Sequence, residues 1–130
     1  MSRENVELVR EVFAAYERGR DVATIASEYM AEDVVWNPAD EAAQQGIDGV
    51  AAYMRRWESE WEELRTVAEE FIDVGDKVLV TTHFSGRGRA SGIEVDARLH
   101  EVYEVRGGKI VRMDEFTDRA DALEAVGLRE

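Results

Sequence analysis

Near Thr66 the spacing of apolar residues changes from about 3.6 to about 2, and that switch is the strongest constraint on what this chain can fold into. Helices come first and strands after. Upstream, Val6, Val9, Phe13 and Tyr16 recur at steps of three or four residues, behind Ser2 and a run of charges and ahead of Gly19, which predicts an amphipathic helix. Asp21 suits the cap of a second, shorter helix with Ile25, Tyr29 and Met30 on one face. Glu32 and Asp33 then lead into the apolar run Val34, Val35, Trp36, a short strand stopped by Pro38. A third helix follows Gly46-Ile47-Asp48-Gly49, where Val50, Met54, Trp57, Trp61 and Leu64 form one stripe with Tyr53 beside it.

Downstream, the turn markers Gly75-Asp76, Ser91-Gly92 and Gly107-Gly108 divide the chain into four strands, expected near Val67 to Val74, Lys77 to Arg87, Ile93 to Arg106 and Lys109 to Phe116. A last helix from Arg119 to Val126 ends at Gly127. No linker, repeat or low-complexity stretch interrupts the 130 residues. The expectation is one α+β domain over residues 1–130: a cone-shaped roll with N-terminal helices packed on a curved antiparallel β-sheet. A bent sheet around an aromatic helix encloses an interior, and such interiors suit small hydrophobic or carbonyl-containing molecules.

Composition narrows the partners further. Sixteen Lys+Arg against 29 Asp+Glu give a net charge of -13, which repels phosphate backbones and anionic membranes, so neither nucleic acid nor a membrane is an expected partner. No apolar run approaches the roughly 20 residues of a bilayer span, and the first residues lack an apolar signal core. A cytoplasmic location is expected. The absence of cysteine removes disulfide scaffolds and thiol nucleophiles. Two histidines at no ligand spacing, and no glycine-rich loop between a strand and a helix, predict neither metal nor nucleotide cofactor.

The register of the last hairpin decides which side chains share a face. In Val105-Arg106-Gly107-Gly108-Lys109, a two-residue turn pairs Arg106 with Lys109 and sets like charges opposite each other. A three-residue turn with Gly108 in the bulge position instead pairs Val105 with Lys109, Val102 with Arg112, Arg98 with Phe116 and His100 with Asp114. The second register is favoured here. It places Arg98, His100, Asp114 and Phe116 on one face, suited to a polar pocket wall, with His100 and Asp114 as the candidate catalytic acid/base pair. The opposite face, Leu99, Tyr103, Val111 and Met113 among Glu101 and Glu115, then suits a two-fold partner, and a homodimer through the sheet is expected.

The order of elements, with the strand opening at Asp33 to Trp36 and the closing run Gly108-Lys109-Ile110-Val111-Arg112, resembles the nuclear transport factor 2-like superfamily and within it the SnoaL-like polyketide cyclase group. The likeness covers essentially the whole chain. It implies a proton-transfer role for His100 and Asp114. The superfamily also contains ketosteroid isomerases, whose catalytic carboxylate would fall on Asn37, whose oxyanion tyrosine would fall on Val12 and whose second acid would fall on His100; these three departures argue against that reaction. Limonene-epoxide hydrolases need two carboxylates bridged by an arginine, for which Asp114 and Arg98 are present and a second acid is missing.

The remaining pocket candidates are the aromatics Trp36, Tyr53, Trp57 and Phe116, the phenol of Tyr16, the amide of Asn37, and His83 and Arg98. Asp40 and Glu41 lie where they can project over the mouth. The leading expectation is a cofactor-independent cyclase- or isomerase-type acid/base catalyst on a carbonyl compound. The alternatives are a non-catalytic module for a lipophilic ligand and an accessory domain in which the partner surface matters more than the cavity.

Overall fold

The computed structural model describes residues 2–128. The elements are α1 (Ser2–Glu17), α2 (Val22–Tyr29), β1 (Met30–Asn37), β2 (Gln44–Gln45), α3 (Gly46–Ser59), β3 (Trp61–Val74), β4 (Lys77–Gly88), β5 (Glu94–Arg106), β6 (Lys109–Phe116) and α4 (Arg119–Ala125). They form an α+β fold in which helices pack on one six-stranded sheet of order β2-β1-β6-β5-β4-β3. Every pairing is antiparallel except β1 with β6, which are parallel. β1 joins the otherwise antiparallel sheet in parallel because it reaches β6 across the sheet rather than through a hairpin. No helix among the described residues is long and apolar enough to cross a membrane.

Local chemistry accounts for the helix ends. Gly19 takes φ 79°, the left-handed conformation that stops α1. Asp21 caps α2, its carboxylate accepting the Thr24 N–H at 3.4 Å. The capping role expected of Ser2 lies outside the described side chains, and the first residue of α1 is Ser2 itself. α3 is shorter than expected: it ends at Ser59, and Trp61 and Leu64 belong to β3. The stripe was ambiguous because Trp61 stays beside Trp57, 5.3 Å between ring centroids, on either path of the chain. β3 bulges twice as it departs, and Glu63 takes φ 54°.

The sheet has an inner face, packed by α1, α2 and α3, and an outer face, partly covered by α4. Val9, Ile25, Val34, Val50, Val80, Ile110 and Met113 make the dry centre of the inner layer. Burying each such side chain contributes roughly 1.5–3 kcal/mol. On the outer face, Leu79 and Val102 pack under Ala122 and Leu123 of α4, with Phe116 alongside.

The final hairpin departs from the expected register. Gly107 and Gly108 both take positive φ, 57° and 75°, and form a two-residue turn that pairs Arg106 with Lys109. Two adjacent glycines satisfy the primed turn at no steric cost, and this outweighs the like charges at the exposed tip. The register then shifts between Glu104 and Val105, where β6 holds one extra residue. Beyond that bulge His100 stands opposite Phe116 and Val102 opposite Asp114. His100 and Asp114 therefore share a face as expected, but as diagonal neighbours.

Candidate functional site

A cavity of about 100 Å³ opens between α1, α3 and the inner face of the sheet. Its wall is aromatic because three elements turn large rings toward one point: Phe13 and Tyr16 from α1, Trp36 from β1, and Tyr53 and Trp57 from α3. Tyr103 ties this wall together, its ring 6.0 Å from Phe13 and 5.9 Å from Trp36 in edge-to-face contacts. Phe84, Thr82 and Leu99 complete the sheet side.

Two acids interrupt this apolar lining. Glu101 of β5 and Glu115 of β6 stand directly opposite each other, and no basic side chain lines the cavity. Burial without a cation penalises both charges. Desolvation, with the nearby Glu115 charge second, pushes the Glu101 carboxyl up to about 8. Tyr103 Oη donates to Glu101 Oε1 at 2.7 Å. Burial also raises Glu115, while the Ala39 N–H, which donates to Glu115 Oε1 at 3.1 Å, and a hydrogen bond with Glu101 pull the other way. Both carboxyls are thus raised by burial, Glu101 to about 8, while the Ala39 N–H and the hydrogen bond with Glu101 favour the charged form of Glu115.

The phenols around the pair stay neutral. Burial raises Tyr16, with Glu58 adding to the effect, and burial raises Tyr53, with Glu115, Glu41 and Asp40 adding to it. Glu41, whose charge adds to the rise of Tyr53, is held by Arg56 Nη2 at 2.7 Å.

Of the residues singled out in the sequence, Tyr16, Trp36, Tyr53 and Trp57 line the cavity. His100, Asp114, Asn37, His83, Arg98 and Phe116 do not. His100 is 6% exposed and its Nδ1 lies 2.9 Å from Thr81 Oγ1 on the outer face. Asp114 accepts from Asn37 Nδ2 at 2.7 Å and from Arg112 Nε at 3.0 Å. His83 Nε2 meets Asp96 Oδ1 at 2.6 Å, Arg98 is bound by Glu69 at 2.7 Å, and Phe116 packs beside α4. The two faces are the reverse of the expectation. The physical reason is the apolar set of β5: Tyr103 and Val105 join the inner core, so Glu101 and Leu99 must follow them inward. Leu99 and Tyr103 line the cavity and Met113 lies in the core beneath the helices, so this face cannot serve a two-fold partner.

Glu101 and Glu115 are the residues missed. A signal existed in β6, where Ile110 and Met113 are both fully buried in the inner core although three residues apart. Strict alternation cannot place both inward; a bulge between them can. Among the described residues there is no group of three or more side chains arranged to hold a metal ion.

The sequence profile of the SnoaL-like domain matches residues 9–113. The chain belongs to the SnoaL-like domain family. Solved structures agree on the fold. A putative SnoaL-like polyketide cyclase from Jannaschia sp. CCS1 is 22% identical with a TM-score of 0.80, covering 98% of this chain and 94% of its own. An NTF2-like protein from Burkholderia thailandensis E264 is 25% identical, also with a TM-score of 0.80, over 90% of this chain and 95% of its own. A hypothetical protein of ketosteroid isomerase-like fold from Catenulispora acidiphila, solved in complex with trimethylamine, is 18% identical with a TM-score of 0.75, over 94% and 93% of the two chains. No functionally curated protein matches the chain. Within this SnoaL-like domain, the position to which the ketosteroid isomerase likeness assigned a second acid, His100, points outward, and its neighbour Glu101 points into the cavity.

Proposed function

We propose that this SnoaL-like domain transfers protons on a small carbonyl compound without a cofactor, with Glu115 as the base and Glu101 as the acid. The observation that carries this reading is the opposed pair of carboxyls in an aromatic cavity that no basic side chain lines, both raised by burial. Sharing one proton, such a pair offers an acid and a base within reach of one bound molecule.

The chemistry follows from the placement. A ring lies against Trp36 and Trp57 with its carbonyl oxygen toward the Glu101 O–H. Glu115 takes a proton from the carbon next to that carbonyl. Glu101 hydrogen-bonds the enolate oxygen as charge develops on it, an interaction stronger in the transition state than in the ground state. Glu115 then returns its proton to the same or a conjugated carbon. The neutral phenols of Tyr16 and Tyr53 serve as orienting donors. Every proton in this cycle is held by the pair, so no cofactor is required.

Size and charge restrict the substrate. A cavity near 150 Å³ holds one benzene molecule, so about 100 Å³ with an open mouth suits one ring or a short chain rather than fused rings. Glu101, Glu115 and the net charge of -13 disfavour anions. The trimethylamine complex of the Catenulispora protein supports small-molecule occupancy in this fold.

Cyclohexanone in D₂O gives a direct test, because proton abstraction exchanges its α-hydrogens and NMR reads the rate. The protein should accelerate exchange over buffer, and Glu115→Gln should reduce that acceleration at least about a hundredfold, within the range of general base catalysis. Line broadening of cyclohexanone without acceleration would favour a non-catalytic binding pocket instead.

A further inference from the structure

Glu101 and Glu115 are alike in chemistry and stand opposite each other, so the pair itself does not dictate which member keeps the proton. Its surroundings differ sharply. From β5, the Tyr103 hydroxyl donates to Glu101, a bond that the neutral carboxyl also accepts. From the loop of residues 38–43, between β1 and β2, the Ala39 N–H donates to Glu115 Oε1 at 3.1 Å. A backbone donor strengthens its bond when the acceptor carries charge.

The loop is fastened at both ends. At its start, the Asn37 amide donates to Asp114, the residue before Glu115 on β6. Further along, Arg56 of α3 holds Glu41 at 2.7 Å while its guanidinium lies 5.3 Å over the Tyr53 ring. The other polar groups facing the pair do not replace Ala39. Tyr16 of α1, with Glu58 of α3 near it, faces Glu101, and Tyr53 of α3 faces Glu115. Asp40, in the same loop, works against an ionised Glu115.

We propose that the loop of residues 38–43 is a strap that assigns the roles within the pair: fastened by Arg56 through Glu41, it presents the Ala39 N–H to Glu115, making Glu115 the base and leaving Glu101 the acid. This rests on the acid-and-base reading of the pair given above. Ala39 and Arg56 are positioning residues, since they act through the two carboxyls. With the strap lifted, Glu115 loses its backbone donor and the shared proton moves toward it.

The test needs no ligand. In the full chain with ¹³C-labelled glutamate, the side-chain carboxyl signals of Glu101 and Glu115 are followed from pH 4 to 10. The strap predicts that in the wild type Glu115 titrates before Glu101. Ala39→Pro deletes the N–H and should shift the proton between the two carboxyls by roughly ten- to a hundredfold, merging or reversing their order. Ala39→Gly keeps the donor and should keep the wild-type order. Arg56→Ala should move the balance the same way by roughly two- to fivefold, and decides the matter if the proline variant does not fold. An unchanged order in the folded variants overturns the strap and leaves the pair standing. Two wild-type carboxyls that both titrate in the ordinary glutamate range overturn the pair itself.

Discussion

Both faces of the β4-β5-β6 sheet carry carboxylates and put them to opposite uses. On the outer face, His83 meets Asp96, Arg98 meets Glu69 and Arg119 meets Glu70, each nitrogen within 2.7 Å of a carboxylate oxygen. On the inner face, Glu101 and Glu115 are matched in nothing but position, with no cation among the cavity-lining side chains. Complementary pairs at a surface settle into low-energy geometry and have little chemistry left to do. Two like acids in a dry, aromatic cavity are held in a state each would leave in water, and that frustration keeps a proton available near neutral pH.

The sharpest way to break this contrast is the pH dependence of stability. Glu101 is raised from 4.5 to about 8, so across that interval the folded chain holds a proton that the unfolded chain has released. Stability therefore falls as pH rises through that window, and it is unaffected by this group below it, where both states are protonated. The loss amounts to a few kcal/mol once pH exceeds the folded value, since each tenfold change in proton affinity corresponds to about 1.4 kcal/mol. Glu101→Gln should flatten the decline in urea midpoint between pH 5 and pH 8 and be more stable than wild type at the upper end. A mutant curve parallel to the wild-type curve would show that the acid is solvated and that the inner face resembles the outer.

A smaller effect is expected from the outer face's one buried imidazole. His100→Ala removes a side chain that is 6% exposed and its 2.9 Å hydrogen bond with Thr81, which should cost about 1–3 kcal/mol by urea denaturation. Cyclohexanone exchange, by contrast, should stay within twofold of wild type. Exchange abolished in a variant whose fold is intact would return the chemistry to His100.

How much of this was legible beforehand differs between the faces for a physical reason. The order of helices and strands and the α+β roll follow from local periodicity, though not the boundary between α3 and β3, and Tyr16, Trp36, Tyr53 and Trp57 reach the cavity because their elements are correctly placed. The assignment of faces depends on a single residue of register, and in β6 that residue is absorbed by a bulge rather than by the turn. Glycine preference at Gly107-Gly108 admitted either turn; only the requirement that Ile110 and Met113 both be buried distinguishes them. The chemical intuition that a polar pocket wall needs histidine and arginine worked against the correct face, because here the polar content of the cavity is a pair of acids among rings.

The smallest expected effect tests the outer face on its own terms. His83 and Asp96 meet at 2.6 Å, yet their side chains are 32% and 71% exposed, and water competes for both. A double-mutant cycle with His83→Ala and Asp96→Ala at pH 6 should give a coupling of at most about 1 kcal/mol. Raising the salt to 1 M shortens the screening length to about 3 Å and should remove most of it. The distance alone argues for a strong pair, and the exposure argues for a weak one; exposure prevails because the alternative partner, solvent, is present at full concentration. A coupling well above that limit, or one indifferent to salt, would mean that the outer face withholds this pair from water, and the division between a settled face and a frustrated one would have to be redrawn.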